Sequence, residues 1–288
     1  MGSVFVTGAT GTVGSAVVDY LLHHGHPVVA GVRDTRDTGR VPPRAEAREF
    51  SFQNTPTQIE DALEGSDRIF LMRPPAIADV ERTLFPVIDA ALRRGVRQIA
   101  FLSLQGVQVN RNTPHHAVER YLRATKSPFT FLRPNFFMQN LSGTYAGPIR
   151  ERGEIFAPAG RSRTAFIDAR DVGRAAGATL TRPGHTRKAY TLSGEQSLTY
   201  RNVADIMTAV LGRRIRYERP SEAAYLAALA AAGAPADYIA VQKMIHKVVR
   251  LNVSAFPNSV VRKLTGQPAA PLSQFVADYA QTWIEDLR

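Results

Sequence analysis

Cysteine is absent from the chain. Disulfides, thiolate nucleophiles and cysteine-ligated metals are therefore excluded as sources of stability or chemistry. Long hydrophobic runs are missing too, with no stretch near the ~20 apolar residues that a helix needs to cross a bilayer. The first apolar run opens at Ser3, leaving no room before it for a signal or transit peptide, and a cytoplasmic protein is expected. Acidic residues are in deficit, 25 Asp and Glu against 36 Lys and Arg, for a net charge of +11. Such a field favours anionic ligands. The basic residues are mostly Arg and are dispersed, in LRRGVRQ, RERGE, GRSR, TRKA and GRRIRYER, with no zinc-finger, RNP or basic-helix pattern among them. They read as solvated surface with a share in nucleotide binding; neither nucleic acid nor membrane is an expected partner. Internal repeats, low-complexity tails and Gly/Ser linkers are also lacking.

What is present is an alternation. Up to Arg133, short segments rich in β-branched and aromatic residues (SVFVT, PVVAGV, REFSF, RIFLM, QIAFLSL, FTFLR) are separated by stretches of helical period such as SAVVDYLLHHG and VERTLFPVIDAALRRG. Repeated β-α units predict an α/β fold with a doubly wound parallel sheet. HHGHP and RRGVR each place Gly after the last turn of a helix. Pro86 falls inside the helical pattern of VERTLFPVIDAALRRG and marks a kink. After Pro134 the rhythm changes to loops, short extended pieces and an Ala-rich, mainly helical remainder. The expected organisation is a core over residues 1–133 and a smaller lobe over 134–288, with strands and a helix at about 164–200 returning to the core.

The stretch VFVTGATGTVG sets Gly8, Gly11 and Gly14 directly behind the first strand and at the opening of the first helix. In a Rossmann-type unit a turn of this kind lets the backbone approach a pyrophosphate, which the free amides of the helix N-terminus then hold. The spacing is G-x-x-G-x-x-G, and a tight turn alone would also use glycine; strand before and helix after favour a dinucleotide site. At the end of the second strand, where NAD enzymes place a carboxylate for the ribose 2′-hydroxyl, the sequence AGVRD places Arg33. A guanidinium there suits a 2′-phosphate, with Arg36 and Arg40 adding charge, and NADP(H) is expected over NAD(H) although Asp34 is adjacent.

These segments, together with IFLMRPP, HHAVERYLRATKSPFTFLRPNFFMQNL and FIDARDVGRAA, resemble the NmrA-like branch of the atypical short-chain dehydrogenases, with the bacterial NADPH-dependent quinone oxidoreductase type nearest in pattern. The resemblance spans nearly the whole chain. It implies that Thr7, Gly8, Thr10, Gly11 and Val13 bind the pyrophosphate, Arg33 the 2′-phosphate, and that Met72, Arg73 and Pro74 pass the ribose. Ser103, Leu104, Pro134, Asn135, Phe136 and Phe137 would border the nicotinamide. Where the family often has an Asp for adenine, this chain reads FQNT, and Gln53 is the substitute candidate.

The Tyr-x-x-x-Lys pair of ordinary short-chain dehydrogenases is missing: no Tyr has Lys four residues later. The equivalent helix carries His115 and Glu119, the H-x-x-x-E spacing of NmrA-like members, on one helical face. His115 reads as a general acid near neutral pH tuned by Glu119, Glu119 as a positioning group, or both as structural; Ser103 is the third catalytic candidate. No third ligand accompanies them, so no metal is expected. Asp171 reads as a helix N-cap and Asp168 as a loop tie. The apolar stretch 135–141, with Asn135, Phe136, Phe137, Met138 and Asn140, and the Ala-rich segment around Tyr225 suit an apolar, ring-shaped substrate; the same aromatic residues also suit a core. Three functions follow. The first is an NADPH-dependent oxidoreductase passing hydride to an apolar carbonyl, enone or quinone-like acceptor, as a monomer or homodimer. The second is a non-catalytic NADP(H) sensor working through a protein partner. The third is a redox-neutral isomerase or epimerase.

Overall fold

The computed structural model describes residues 2–34 and 38–284. In chain order the elements begin β1 (Ser3–Val6), α1 (Thr12–His23), β2 (Val28–Val32), β3 (Glu46–Glu49), α2 (Pro56–Ala62), β4 (Ser66–Met72), α3 (Val80–Arg93), β5 (Gln98–Leu102), α4 (Pro114–Ala124) and β6 (Phe129–Pro134). They continue with α5 (Gln139–Ser142), α6 (Ala146–Arg152), β7 (Glu154–Ile155), β8 (Arg163–Thr164), α7 (Ala169–Thr181), β9 (Lys188–Leu192), β10 (Leu198–Thr199) and α8 (Tyr200–Leu211). β11 (Arg216–Tyr217), α9 (Glu222–Ala231), α10 (Ala236–Arg250), α11 (Val260–Thr265) and α12 (Leu272–Asp278) complete the chain. No helix among the described residues is long and apolar enough to cross a membrane.

The chain divides into two compact units. The first holds residues up to Pro134, then 169–192 and 260–267. Its sheet has the order β3-β2-β1-β4-β5-β6-β9, and every neighbouring pair is parallel. The chain winds outward from β1 through β2 to β3, then restarts beside β1 with β4. The carboxyl ends of β1 and β4 therefore form the switch point where open α/β sheets place ligands. This is the Rossmann-like, doubly wound α/β fold that the alternation predicts. The run β1, β2, β4, β5 and β6 is buried almost throughout, as strands covered on both faces must be. Phe5, Phe101 and Phe131 anchor the core on the face of α2, α3 and α4, with Leu84, Ile88 and Leu122 from the helices. Pro86 lies within α3, which continues through it.

Three differences from the sequence reading have physical causes. β3 is Glu46–Glu49 rather than the aromatic REFSF: an edge strand tolerates charge, whereas the Phe50 and Phe52 side chains that follow it enter the core. α7 starts at Ala169, so Asp171 sits inside its first turn and is ion-paired with Arg174 instead of capping the helix. The segment returned to the first unit is 169–192, narrower than 164–200, and α11 returns as well.

The second unit holds residues 135–168, 193–259 and 268 onward. Its core gathers Ile149, Ile155, Val203, Met207, Val249, Phe275 and Trp283, and the Trp283 indole Nε1 donates to the Leu141 carbonyl at 3.0 Å.

On the other face of the sheet α7 lies against α1, and two glycines permit the close approach. A Cβ on Gly173 would stand 2.5 Å from the Cβ of Ala16 and 2.7 Å from its carbonyl carbon; one on Gly177 would stand 2.0 Å from the Tyr20 ring. Gly173→Ala gains helix propensity of about 1 kcal/mol at most, but its methyl meets backbone that cannot move aside. Overpacking of about 1–3 kcal/mol then dominates. A net loss of stability is expected in urea denaturation, and an unchanged midpoint would refute the packing argument.

Candidate active site

The glycine turn is shaped by what its residues lack. Gly8 has φ +61°, a left-handed conformation that costs glycine nothing. The Gly11 amide donates to the Gly8 carbonyl at 2.9 Å, closing the turn. A Cβ on Gly14 would lie 2.0 Å from the Gly8 oxygen, so the first turn of α1 rests directly on the loop. The first intrahelical bond runs from the Ser15 amide to the Gly11 carbonyl. The amides of Thr12, Val13 and Gly14 precede it, Gly11 caps the helix without a side chain, and the first turn carries no acid. Bare amides at the positive end of a helix dipole, with no Cβ in the way, are what a pyrophosphate requires. The residues present thus fit the dinucleotide phosphates.

Around this turn, the Thr7 hydroxyl donates to the Phe70 carbonyl at 3.1 Å and accepts from the Met72 amide at 2.9 Å. Thr7 is fully buried, and its side chain ties the carboxyl ends of β1 and β4 together instead of offering itself to a ligand. Thr10 is half-buried, and its carbonyl accepts from Arg40 Nη2 at 3.1 Å, which brings one of the added arginines to the turn. Val13 packs into the core. Arg33 is exposed one residue past β2; Arg36 lies outside the described residues. Gln53 is exposed in the turn after β3, with its side-chain Oε1 accepting from Ser51 Oγ at 2.6 Å. Met72 is half-buried beside Gly8, and Pro74 is half-buried two residues past Met72. Arg73 folds its Nη1 back onto the carbonyls of Pro74 and Pro75, each at 3.1 Å, and of Ile77. Its Nε is buried without a hydrogen-bond partner among the described residues, and burial pushes the guanidinium pKa down.

The catalytic candidates meet at the ends of β5 and β6. Glu119 on α4 and Arg133 on β6 form a bidentate ion pair, with Nε to Oε1 at 2.9 Å and Nη2 to Oε2 at 2.5 Å. Ser103 Oγ donates to Glu119 Oε1 at 2.7 Å. Each of the three is at most 6% exposed. The Arg123 guanidinium, at 3.8 Å from Oε2, adds a partner from the solvent side. The carboxylate expected to tune His115 is thus occupied by Ser103, Arg133 and Arg123, and the Ser103 proton is committed to it.

His115, the second residue of α4, has a pKa pushed down to about 4, by burial first and by the Arg73 charge second. At neutral pH its imidazole carries no charge, which contrasts with a general acid poised near neutrality. Tyr121, on the same helix, donates to Asp89 Oδ1 at 2.7 Å, and this bond raises its pKa to about 12. Leu104 is half-buried and Pro134 buried at the strand ends, where the Gln105 amide donates to the Pro134 carbonyl at 3.0 Å.

In the second unit, Asn135 is buried with both ends of its amide engaged: Nδ2 donates to the Ser254 carbonyl at 2.9 Å and Oδ1 accepts from the Phe136 amide at 2.8 Å. Met138 is a core residue, while Phe136, Phe137 and Asn140 are half-buried. Tyr225 is buried and donates to Gln242 Oε1 at 3.1 Å. It adjoins a group the sequence reading passed over. Backbone carbonyls only accept, so His246 must donate from Nδ1 to the Gln242 carbonyl at 2.9 Å. Its Nε2 then accepts from the Tyr145 hydroxyl at 3.0 Å. Arg133 was also passed over, although a charge inside the apolar run FTFLRP signals a buried partner.

The comparisons with known proteins agree with this frame. The model of the NmrA-like family matches residues 2–264. An NAD(P)H azoreductase of Xenophilus azovorans is 30% identical over 283 residues, covering 96% of this chain and 98% of its own. The (4-alkanoyl-5-oxo-2,5-dihydrofuran-3-yl)methyl phosphate reductase of Streptomyces griseus is 32% identical over 289 residues, covering 97% and 99%. Among solved structures, the triphenylmethane reductase of a Citrobacter species, complexed with NADP(H), superposes with a TM-score of 0.85 at 25% identity, covering 96% of this chain and all of its own. With the family model spanning nearly the whole chain, and relatives of this identity aligned end to end, the chain belongs to the NmrA-like family.

Proposed function

We propose that this protein, an NADPH-dependent oxidoreductase, reduces an apolar conjugated acceptor of the quinone or enone class. The observation that carries this reading is the state of three groups on α4, none of which is placed as a proton donor near neutral pH. Glu119 is held by Arg133 and Ser103, Tyr121 by Asp89, and His115 is neutral. A plain ketone becomes an alkoxide on accepting hydride and needs a proton donor at that moment. A quinone or enone delocalises the charge and takes its proton from water afterwards. The azo and triphenylmethane substrates named for the relatives are likewise conjugated.

When bound, NADPH supplies the hydride. The chain's own residues hold and exclude. The amides of Thr12, Val13 and Gly14 receive the pyrophosphate and Arg33 the 2′-phosphate. Met72, Arg73 and Pro74 pass the ribose, and Ser103, Leu104 and Pro134 frame the nicotinamide. His115, as a neutral imidazole, donates a hydrogen bond without releasing a proton.

NADPH oxidation followed at 340 nm with a panel of quinones, enones and simple ketones tests this reading. Turnover is expected with the conjugated acceptors alone, with kcat/KM flat between pH 5.5 and 8 and changed less than about threefold in His115→Asn. A profile in the wild type governed by a group near pH 6.5, abolished in that variant, would restore His115 as the acid. Arg33→Ala should weaken NADPH binding by roughly 10–100-fold, as expected for one charge-assisted contact of about 1.5–3 kcal/mol. NADH binding should stay the same, and equal losses for both cofactors would remove Arg33 from the 2′-phosphate.

Two stability measurements follow from the same site. Glu119→Gln strands a buried Arg133 charge, and a loss of about 3–5 kcal/mol is expected by chemical denaturation. His115 titrates near 6.5 when unfolded and about 4 when folded. The unfolded chain thus binds the extra proton between those values, so this contribution is complete above pH 6.5 and is lost as pH falls toward 4. His115→Asn should make the decline of the urea midpoint over that interval shallower.

A further inference from the structure

Three arginines, one of them from the basic segment LRRGVRQ, meet at one place in the first unit. Arg68 of β4, Arg97 just before β5 and Arg182 just after α7 line a pocket of about 270 Å³, with Gln98, Thr181 and Thr186. Arg68 is only 6% exposed. Its Nη1 donates to the Leu180 carbonyl at 2.8 Å, and its Nε to Asp67 Oδ1 at 2.8 Å. The Gln98 amide, equally buried, donates to the Thr179 carbonyl at 2.9 Å and to Thr130 Oγ1 at 2.8 Å. Two of the last carbonyls of α7, those of Thr179 and Leu180, which would repel an anion, are thus already covered.

The charge balance is one-sided. Asp67 pairs with both Arg68 and Arg97. Arg182 donates to the Leu264 carbonyl at 2.8 Å and has no carboxylate partner among the described residues. Of the three guanidinium groups, two share one carboxylate and the third has none among the described residues. Two histidines nearby register the field: His26 and His185 are held below the ordinary imidazole value, by burial and then by Arg68 and Arg182 respectively.

We infer that this pocket is a second anion site, shaped for a small dianion of the phosphate or phosphomonoester class. Guanidinium groups match such oxygens in a planar, paired geometry. The pocket lies at the amino-terminal edge of the sheet, while the glycine turn lies at the carboxyl edge. Along β4 alone, Arg68 and Met72 are four residues apart, roughly 13 Å. An anion here would join the end of α7 to the starts of β4 and β5, and by binding only the folded chain would stabilise it. The inference does not depend on the proposed acceptor.

Calorimetric titration with inorganic phosphate, at ionic strength matched with chloride, tests it on the full chain with and without saturating NADPH. One phosphate should bind, with an affinity unchanged by NADPH and weakened at least tenfold in both Arg182→Gln and Arg97→Gln. Both side chains are exposed, so the variants should melt within a few degrees of the wild type when phosphate is absent. No saturable binding, binding abolished by NADPH, or binding untouched by either substitution would each overturn the site. The second result would place the phosphate on the glycine turn instead.

Discussion

The buried pair of Glu119 and Arg133 is the constraint from which the site is built. Two charges withdrawn from water give little net stability, because desolvation offsets much of their attraction. What they secure is arrangement. Arg133 belongs to β6, Glu119 to α4 and Ser103 to the end of β5, so one carboxylate holds two strand ends and a helix in a single register. That carboxylate is then unavailable to the imidazole one turn earlier. Burial first, and then the charge of Arg73, which shares its sign once the ring is protonated, keep His115 neutral. The proposed preference for conjugated acceptors thus rests on the burial of His115 together with the commitment of Glu119 to β6.

Much of the first unit was legible because its signals are local. A strand-forming run, three glycines and an amphipathic helix follow one another within 25 residues, and each carries its own physical mark. The same holds for β4, α3 and β5. Legibility fails where tertiary context decides. EARE has no strand signature and pairs only because β2 offers an open edge, whereas the aromatic residues beside it are taken by the core. α2 went unread although Thr55 and Gln58 form a full capping box, because its seven residues carry too little apolar period.

In the site, residue types could be picked out by motif, but their partners could not. His115 and Glu119 stand at a spacing that lets them touch, and the choice between each other and Arg133 is made 14 positions further along the chain. Thr7 shows the same limit. Its place in the motif points to a ligand, while its hydroxyl is claimed by β4, which begins about 60 residues later. Asn135 and Met138 likewise fall in a segment whose composition suits a binding wall, and only packing assigns them to scaffold and core.

The path of the chain carries a consequence of its own. The polypeptide passes between the two units five times, at residues 134, 168, 192, 259 and 267. The second unit is therefore not a cassette: no single crossover between two genes can exchange it whole while leaving β9, α7 and α11 with their own sheet. Diversification of such a lobe must proceed by substitution in place, residue against residue, with the sheet's own helices inherited alongside it. This is a route by which a family could keep its nucleotide frame nearly constant while its acceptors drift from one conjugated ring system to another.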